Sequence, residues 1–251
     1  DPLSKGALVT THKIDIFFSC ADQFDYLDEH AKIMGEISCI SKDGNKLLGH
    51  AKDPISSDLA LNRILPEDYW KEKDGEVLCL GAGGAAISIL YNLNRQRQQG
   101  NHPSKIFVTD IRKSRLESIQ KIYRKFDTNI PIELHQCSEI KNNDELTTNL
   151  KPHSLIINAT GLGKDKPGSP FTWDVQYPQN SIVWELNYRG ELIFLDQAES
   201  QRNKKNLTIH DGWIYFIHGW LEVIAEVFQM EIKNSGDYFE NLSEIAWSIR
   251  K

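Results

Sequence analysis

The run Val77-Leu78-Cys79-Leu80-Gly81-Ala82-Gly83-Gly84-Ala85-Ala86 constrains the fold of this chain more than any other. Four apolar residues end in a cluster of glycines, after which the apolar positions recur at helical spacing. That order describes a strand turning directly into a helix. Gly81, Gly83 and Ala86 fit G-x-G-x-x-A. The first glycine permits the tight turn and the second lets backbone approach a pyrophosphate. The small third residue lets helix and strand pack closely. Unpaired N–H groups at the helix start would meet phosphate charge. The segment Gly81, Ala82, Gly83, Gly84 and Ala85 is therefore the candidate dinucleotide loop, the alternative being a glycine turn used only for packing.

The residues after it keep the same rhythm. The pattern predicts strands at 76–80, 105–109, 132–135, 154–158 and 181–186, with helices over 83–98 and 113–126. Short apolar runs separated by helices point to an α/β, Rossmann-type doubly wound parallel sheet covered on both faces. Upstream, residues 7–10 are β-prone and 21–34 predict a helix. Residues 36–41 and 46–50 predict a hairpin around Lys42-Asp43-Gly44-Asn45, and 55–64 predict a helix. The polar stretch 66–75 is the expected boundary, and 212–228 is an aromatic-rich helix. The expected division is a dinucleotide-binding domain over 66–212 and a smaller α/β substrate domain from 1–65 and 213–251.

The chain has 251 residues, 40% of them hydrophobic, and a net charge of −6. No basic field favours nucleic acid or an anionic membrane, so a phosphate would be gripped locally. The most apolar stretch, 77–93, is interrupted by glycines and reads as strand, turn and helix, not as a membrane span. Cys20, Cys39, Cys79 and Cys137 lie far apart, with no metal-ligand spacing, so reduced thiols are expected and no metal. With no signal peptide visible, a cytoplasmic protein is expected. The sequence does not read out an oligomeric state, and a homodimer would be ordinary.

The second strand ends at Asp110. A carboxylate there can bind ribose hydroxyls and repel a 2′-phosphate, favouring NAD. Arg112, Lys113 and Arg115 follow and could grip a phosphate, which leaves NADP open. Asn158, Thr160 and Gly161 follow a later strand, where ligands bind in such sheets. Turn formation alone would also explain them.

Lys13 and Asp53, read alone, are ordinary surface charges. Yet Thr10-Thr11-His12-Lys13, Gly49-His50-Ala51-Lys52-Asp53, Gly81-Ala82-Gly83-Gly84-Ala85-Ala86, Asn158-Ala159-Thr160 and Asp211-Gly212 follow one another in a telling order. That order resembles the shikimate/quinate dehydrogenase family over nearly the whole chain. The resemblance implies an NAD(P)-dependent dehydrogenase acting on CH–OH groups. It matches Lys13 and Asp53 to the family's catalytic lysine and aspartate, from N-V-T-x-P-x-K and N-T-D. Both would hydrogen-bond the hydroxyl that loses its hydride. The lysine would move the proton, its pKa lowered in a closed cleft, and the carboxylate would orient it. Tyr188 matches a tyrosine that lines the substrate, and Gly212 matches the glycine ahead of the C-terminal helix.

The departures bear on substrate. Ala7, Thr11 and Ala51 stand where the family has asparagine, proline and asparagine, and His218-Gly219-Trp220 replaces a glutamine segment. Asp110-Ile111-Arg112 replaces N-R-T, removing an arginine associated with NADP. The resemblance also implies that this sequence begins inside the substrate domain, without the S-x-S that holds a carboxylate. Because hydrogen-bonding groups set discrimination sharply, a ring alcohol or ketone other than shikimate is expected, such as another cyclitol or quinate-like compound. Thr11, His12, His50, Tyr188, Trp213, Tyr215, His218 and Trp220 are the residues expected around the altered pocket. Two other readings stand: an inactive NAD(P)-binding sensor, and a dehydrogenase of acyclic amino or hydroxy acids.

Overall fold

The structure is a computed structural model, and it describes residues 3–10, 12–96, 100–126, 128–164 and 166–249. It divides into two compact units, Asp1–Ala60 with Ile214–Lys251, and Leu61–Trp213. The first contains β1 (Gly6–Leu8), α1 (Lys13–Cys20), β2 (Tyr26–Leu27), α2 (Glu29–Met34), β3 (Cys39–Asp43), β4 (Lys46–His50) and most of α3 (Asp53–Ile64). The second contains α4 (Tyr69–Glu72), β5 (Val77–Leu80), α5 (Gly84–Gln96), β6 (Ile106–Asp110), α6 (Lys113–Tyr123) and β7 (Ile132–Gln136). It continues with α7 (Ile140–Thr148), β8 (Leu155–Asn158), β9 (Ile182–Glu185), α8 (Ile193–Glu199), α9 (Arg202–Lys205) and β10 (Thr208–His210). The chain then ends in α10 (Trp213–Phe228) and α11 (Gly236–Ser248).

The second unit is built on a six-stranded sheet in the order β10-β9-β8-β5-β6-β7, every pair parallel. Its central strands β5, β8 and β9 are buried at every position, whereas the edge strand β7 is not. Helices on both faces require this continuous burial, which is why these strands read as unbroken apolar runs. Leu78, Leu80, Ile156, Val183, Tyr177 and Phe194 share one of its cores. The α/β fold with a doubly wound parallel sheet and a smaller second sheet is as the sequence predicts. The sixth strand, β10, has only three residues and carried no periodic signal.

In the first unit the sheet order is β1-β3-β4-β2. The β3–β4 hairpin pairs Cys39 with His50 and Asp43 with Lys46 around the expected turn. Leu8, Cys39, Val223 and Val227 pack together. The helix expected over 21–34 is a different structure. A helix ends at Cys20, a short 3-10 turn spans Ala21–Gln23, and β2 pairs in parallel with β4 before α2 starts. Asp28 decides that restart: its Oδ1 accepts from Ala31 N at 2.6 Å, an N-cap that fixes the first turn. Strand 36–41 is also shifted, to 39–43.

Among the described residues, no helix is long and apolar enough to cross a membrane. All four cysteines are free, Cys39, Cys79 and Cys137 buried and Cys20 partly so.

Candidate active site and dinucleotide loop

In the first unit, residues 40 positions apart in sequence meet: Lys13 Nζ donates to Asp53 Oδ2 at 2.5 Å. Their side chains retain only 21% and 14% exposure. The segment from Gly35 to Ser38 is the seam between them. Gly35 ends α2 in the left-handed conformation. Ile37 N then donates to Lys13 O at 3.1 Å, tying α1 to one edge of the seam. On the other edge, Ser38 N donates to His50 O at 2.9 Å and Lys52 N to Ser38 Oγ at 2.7 Å. Asp53 thus opens α3 beside Lys13, and its own carbonyl accepts from Ser57 Oγ at 2.7 Å.

The electrostatics differ from the sequence expectation at one point. Burial alone would lower the Lys13 pKa, but the attraction of Asp53 and Glu36 and the Asp53 hydrogen bond outweigh it. The net shift is upward. Lys13 is an ammonium at neutral pH, not the depressed amine expected. Glu36 was not singled out by the sequence. It is 1% exposed, and its Oε1 has no hydrogen-bond partner among the described residues. Burial, then the negative charge of Asp53, push its carboxyl up to about 8, against the opposing pull of Lys13. Tyr215, partly buried, feels the same charges and is raised well above its ordinary value, first by desolvation and then by Asp53 and Glu36. The sequence signal for Glu36 was a lone acid heading the otherwise uncharged run 36–41.

A second polar cluster lies in the same unit. His50 Nε2 is 3.2 Å from Glu226 Oε1 and 3.0 Å from Ser41 Oγ, and Lys52 Nζ is 2.7 Å from Glu226 Oε2. His50 Nδ1 is 3.6 Å from Asp28 Oδ2. Burial would raise both Asp28 and Glu226. Hydrogen bonds from His50, Ala31 N and Ala51 N hold Asp28 below the ordinary range, and Lys52, His50 and Ser41 do the same for Glu226.

Of the residues expected around the substrate, Thr11 lies outside the described residues. His12 is exposed, with φ of 58° and Nδ1 2.9 Å from Asp15 Oδ2. Trp220 is 43% exposed, its ring 6.0 Å from Phe216. His218 is buried and stacks on Phe239 at 4.3 Å.

In the second unit, Gly81 has φ of 101°, and a Cβ there would stand 2.7 Å from Ala159 O. Only glycine meets both demands. The loop therefore lies against the end of β8, with Gly83, Gly84 and Ala85 partly accessible and Ala86 fully packed. The Arg115 guanidinium stands 3.4 Å from the Cβ position of Gly83. Asp110 Oδ2 accepts from Ala82 N at 3.0 Å and Oδ1 from Arg112 N at 2.8 Å. The carboxylate thus braces the loop, and the Arg112 side chain sits 3.9 Å from it.

Asn158 spends its whole amide locally. Its Nδ2 donates to Glu185 Oε2 at 2.6 Å and reaches Leu162 O at 3.4 Å, while Oδ1 accepts from Thr160 N and Oγ1. It shapes the 159–163 loop, in which Gly161 has φ of 76°. Burial raises Glu185 to about 7, opposed by hydrogen bonds from Asn187 and Asn158. Tyr188 is half-buried between Trp213, Lys164 and Arg189. A Cβ at Gly212 would meet Leu186 O at 2.1 Å, so backbone approach demands glycine there.

No protein-family model matches the chain. Shikimate dehydrogenase (NADP(+)) of Streptococcus thermophilus is 27% identical over 183 residues, 70% of this chain and 58% of that protein. Shikimate dehydrogenase (NADP(+)) of Caldicellulosiruptor bescii is 25% identical over 232 residues, 91% of this chain and 70% of that protein. The chain is thus similar to shikimate dehydrogenases at 25–27% identity. It spans under two thirds of the length of the Streptococcus thermophilus relative. The structure of quinate dehydrogenase from Corynebacterium glutamicum in complex with NAD has the same fold. The TM-score is 0.72 at 18% identity, covering 98% of this chain and 78% of the other. The 5-ketofructose reductase of a Gluconobacter strain matches with a TM-score of 0.62 at 18% identity, over 96% and 79% of the two chains.

Proposed function

We propose that the chain is an NAD(P)-dependent oxidoreductase that moves a hydride between a nicotinamide dinucleotide and a secondary alcohol or ketone of a polyhydroxylated compound. The substrate is a cyclitol or a quinate-like compound, not shikimate itself. The Lys13–Asp53 contact carries this reading: an ammonium and a carboxylate distant in sequence share one hydrogen bond in a largely buried setting. A pair like this is costly to desolvate, and a packed apolar pair would serve stability as well.

In this reading the unit from 61 to 213 holds the dinucleotide and the unit of 1–60 and 214–251 holds the substrate. The loop fits a pyrophosphate on its own terms. It has backbone where a Cβ would clash, it opens a helix of 13 residues, and Arg115 stands beside it. Gly81, Ala82, Gly83, Gly84 and Ala85 would take the phosphates, and Asp110 would face the ribose. Arg112 and Arg115 would lie near the same end, while Asn158, Thr160 and Gly161 would form the second wall. Gly212 would keep the adjoining turn close. NAD is the favoured partner because a carboxylate ends β6, although both of its oxygens also brace backbone. The dinucleotide, when bound, supplies or accepts the hydride.

Lys13 does the proton work. Held as an ammonium by Asp53, it hydrogen-bonds the carbonyl oxygen and donates a proton as that oxygen becomes a hydroxyl. In the reverse direction it must first be neutral, so the site at neutral pH is set for ketone reduction. Thr11, His12, Tyr188 and Trp220 are the proposed substrate contacts. Ala51 and His218, standing where shikimate readers stand in the family, support a different substrate. The fold itself is not tied to shikimate, since a 5-ketofructose reductase shares it.

The test is turnover with NADH and NADPH across cyclitols, quinate, shikimate and polyhydroxylated ketones. Reduction of a compound other than shikimate is expected, lost about 1000-fold in Lys13→Ala while dinucleotide binding persists. A Lys13→Ala protein that keeps most of its rate would remove the lysine from the chemistry.

A further inference from the structure

We infer that Glu36 is a third acid–base group of the Lys13–Asp53 pair, a positioning residue that acts through Lys13. It carries a proton while the site is at rest and a negative charge once that proton leaves. The inference rests on reading Lys13 as the residue that moves the substrate's proton.

Glu36 occupies the seam that joins the two halves of the pair. The next residue, Ile37, donates its N–H to Lys13 O at 3.1 Å, and Ser38 accepts from Lys52 N, the residue before Asp53. Glu36 N is itself tied to Ala31 O at 3.3 Å, so the residue is fixed at both ends of its own peptide. Its side chain is 1% exposed, and Oε1 has no hydrogen-bond partner among the described residues. A buried carboxyl that serves only structure normally satisfies both oxygens, because an orphaned acceptor is costly. Among the described residues Glu36 Oε1 has no such partner, and the carboxyl interacts with the charges of Asp53 and Lys13 on which the proposed chemistry depends.

Among the described residues, the ionisable groups that interact with it come from four segments: Lys13 on α1, Asp28 ahead of α2, Asp53 on α3 and Tyr215 on α10. Two of the four are carboxylates, one is a cation, and one is a phenol that burial keeps protonated. The balance, together with desolvation, holds the Glu36 proton to about pH 8. While Glu36 is neutral, Lys13 and Asp53 cancel and Asp28 leaves the groups around it one negative charge. Above that pH the carboxylate adds one negative charge next to Lys13 and holds its ammonium more firmly. Glu36 thus extends the range over which Lys13 remains a proton donor, matching a site set for ketone reduction. No proton passes directly between the two residues in this scheme. Glu36 exchanges its proton with solvent, and Lys13 feels the charge.

Trace acetylation of Lys13 with acetic anhydride, read by mass spectrometry against pH, tests this without any substrate. In Glu36→Gln the midpoint of Lys13 labelling should fall by about one pH unit relative to the wild type. Equal midpoints in a folded variant would overturn the inference. A second measurement needs only the wild-type protein: ¹³C NMR of its glutamate carboxyl carbons. Two carboxyls should titrate above the ordinary range, near 7 and near 8, and Glu185→Gln assigns the first. No carboxyl near 8 would overturn the inference whether or not Glu36→Gln folds. A chain that reduces nothing in the panel yet shows both titrations would sink the proposed function and leave this charge coupling standing.

Discussion

Glu36 and Glu185 are the same residue type, each buried, each in a different unit, and each holds its proton above the ordinary carboxyl range. Glu185 accepts from Asn158 Nδ2 and Asn187 N, and it reaches about 7. Glu36 has an oxygen with no partner among the described residues and two neighbouring carboxylates, and it reaches about 8. Burial raises both, and hydrogen bonds to the ionised form pull one of them back. The contrast extends to the units themselves. In residues 61–213 the candidate binding surface is made from backbone, and its buried polar side chains serve the loops. In residues 1–60 and 214–251, ionisable side chains press on one another around Lys13, Asp53, His50 and Glu226.

The largest expected effect tests the backbone half of that contrast. Gly81→Val puts a side chain against Ala159 O in a conformation that branched residues avoid. It should weaken NADH and NADPH binding about 100-fold or more, read by fluorescence titration. Lys13 acetylation should stay as in the wild type, and a loss of both would erase the distinction between the units.

Glu185→Gln addresses the satisfied carboxyl. The Glu185 pKa is about 7 when folded and about 4.3 when unfolded, so the native state binds the extra proton. Its contribution is fully present below about pH 4.3 and is lost as pH rises through about 7. Chemical denaturation from pH 4 to 8 should show a decline on the order of 3 kcal/mol from this group, absent in Glu185→Gln. An unchanged slope would mean that Asn158 and Asn187 hold the carboxylate at an ordinary pKa.

Glu226→Gln probes the His50–Lys52 charge cluster and should have the smallest effect. Lys52 keeps 12% exposure and would lose its carboxylate partner, costing about 2 kcal/mol at neutral pH. The Glu226 pKa is depressed, so this stability is present above about pH 4.3 and fades as pH falls through the folded value. The variant should converge with the wild type in acid, followed by urea midpoints. Parallel curves at every pH would place the loss in packing.

Much of the unit of residues 61–213 was legible because its signals are local. A glycine that must adopt positive φ, an apolar run of strand length and a helical stripe each lie within a few residues. The expected strands at 76–80, 154–158 and 181–186 differ from β5, β8 and β9 by a residue or two. The helix over 21–34 failed because a single cap at Asp28 and the pairing of Tyr26 with Leu48 outweigh helical spacing. The three residues of β10 gain their form from the parallel edge of β9, a contact no short window contains.

By itself, then, the sequence determined the strand–glycine–helix turn at 77–86 and the alternation that makes a parallel sheet, since both follow from backbone sterics and spacing. Through resemblance it also pointed to Lys13 and Asp53. Tertiary structure alone decided that Lys13 is raised and not lowered, and that Glu36 belongs beside it. The physical reason is that a pKa depends on which charges and how much water surround a group. Those surroundings are brought together from α1, the 35–38 seam, α3 and α10 only when the chain has folded.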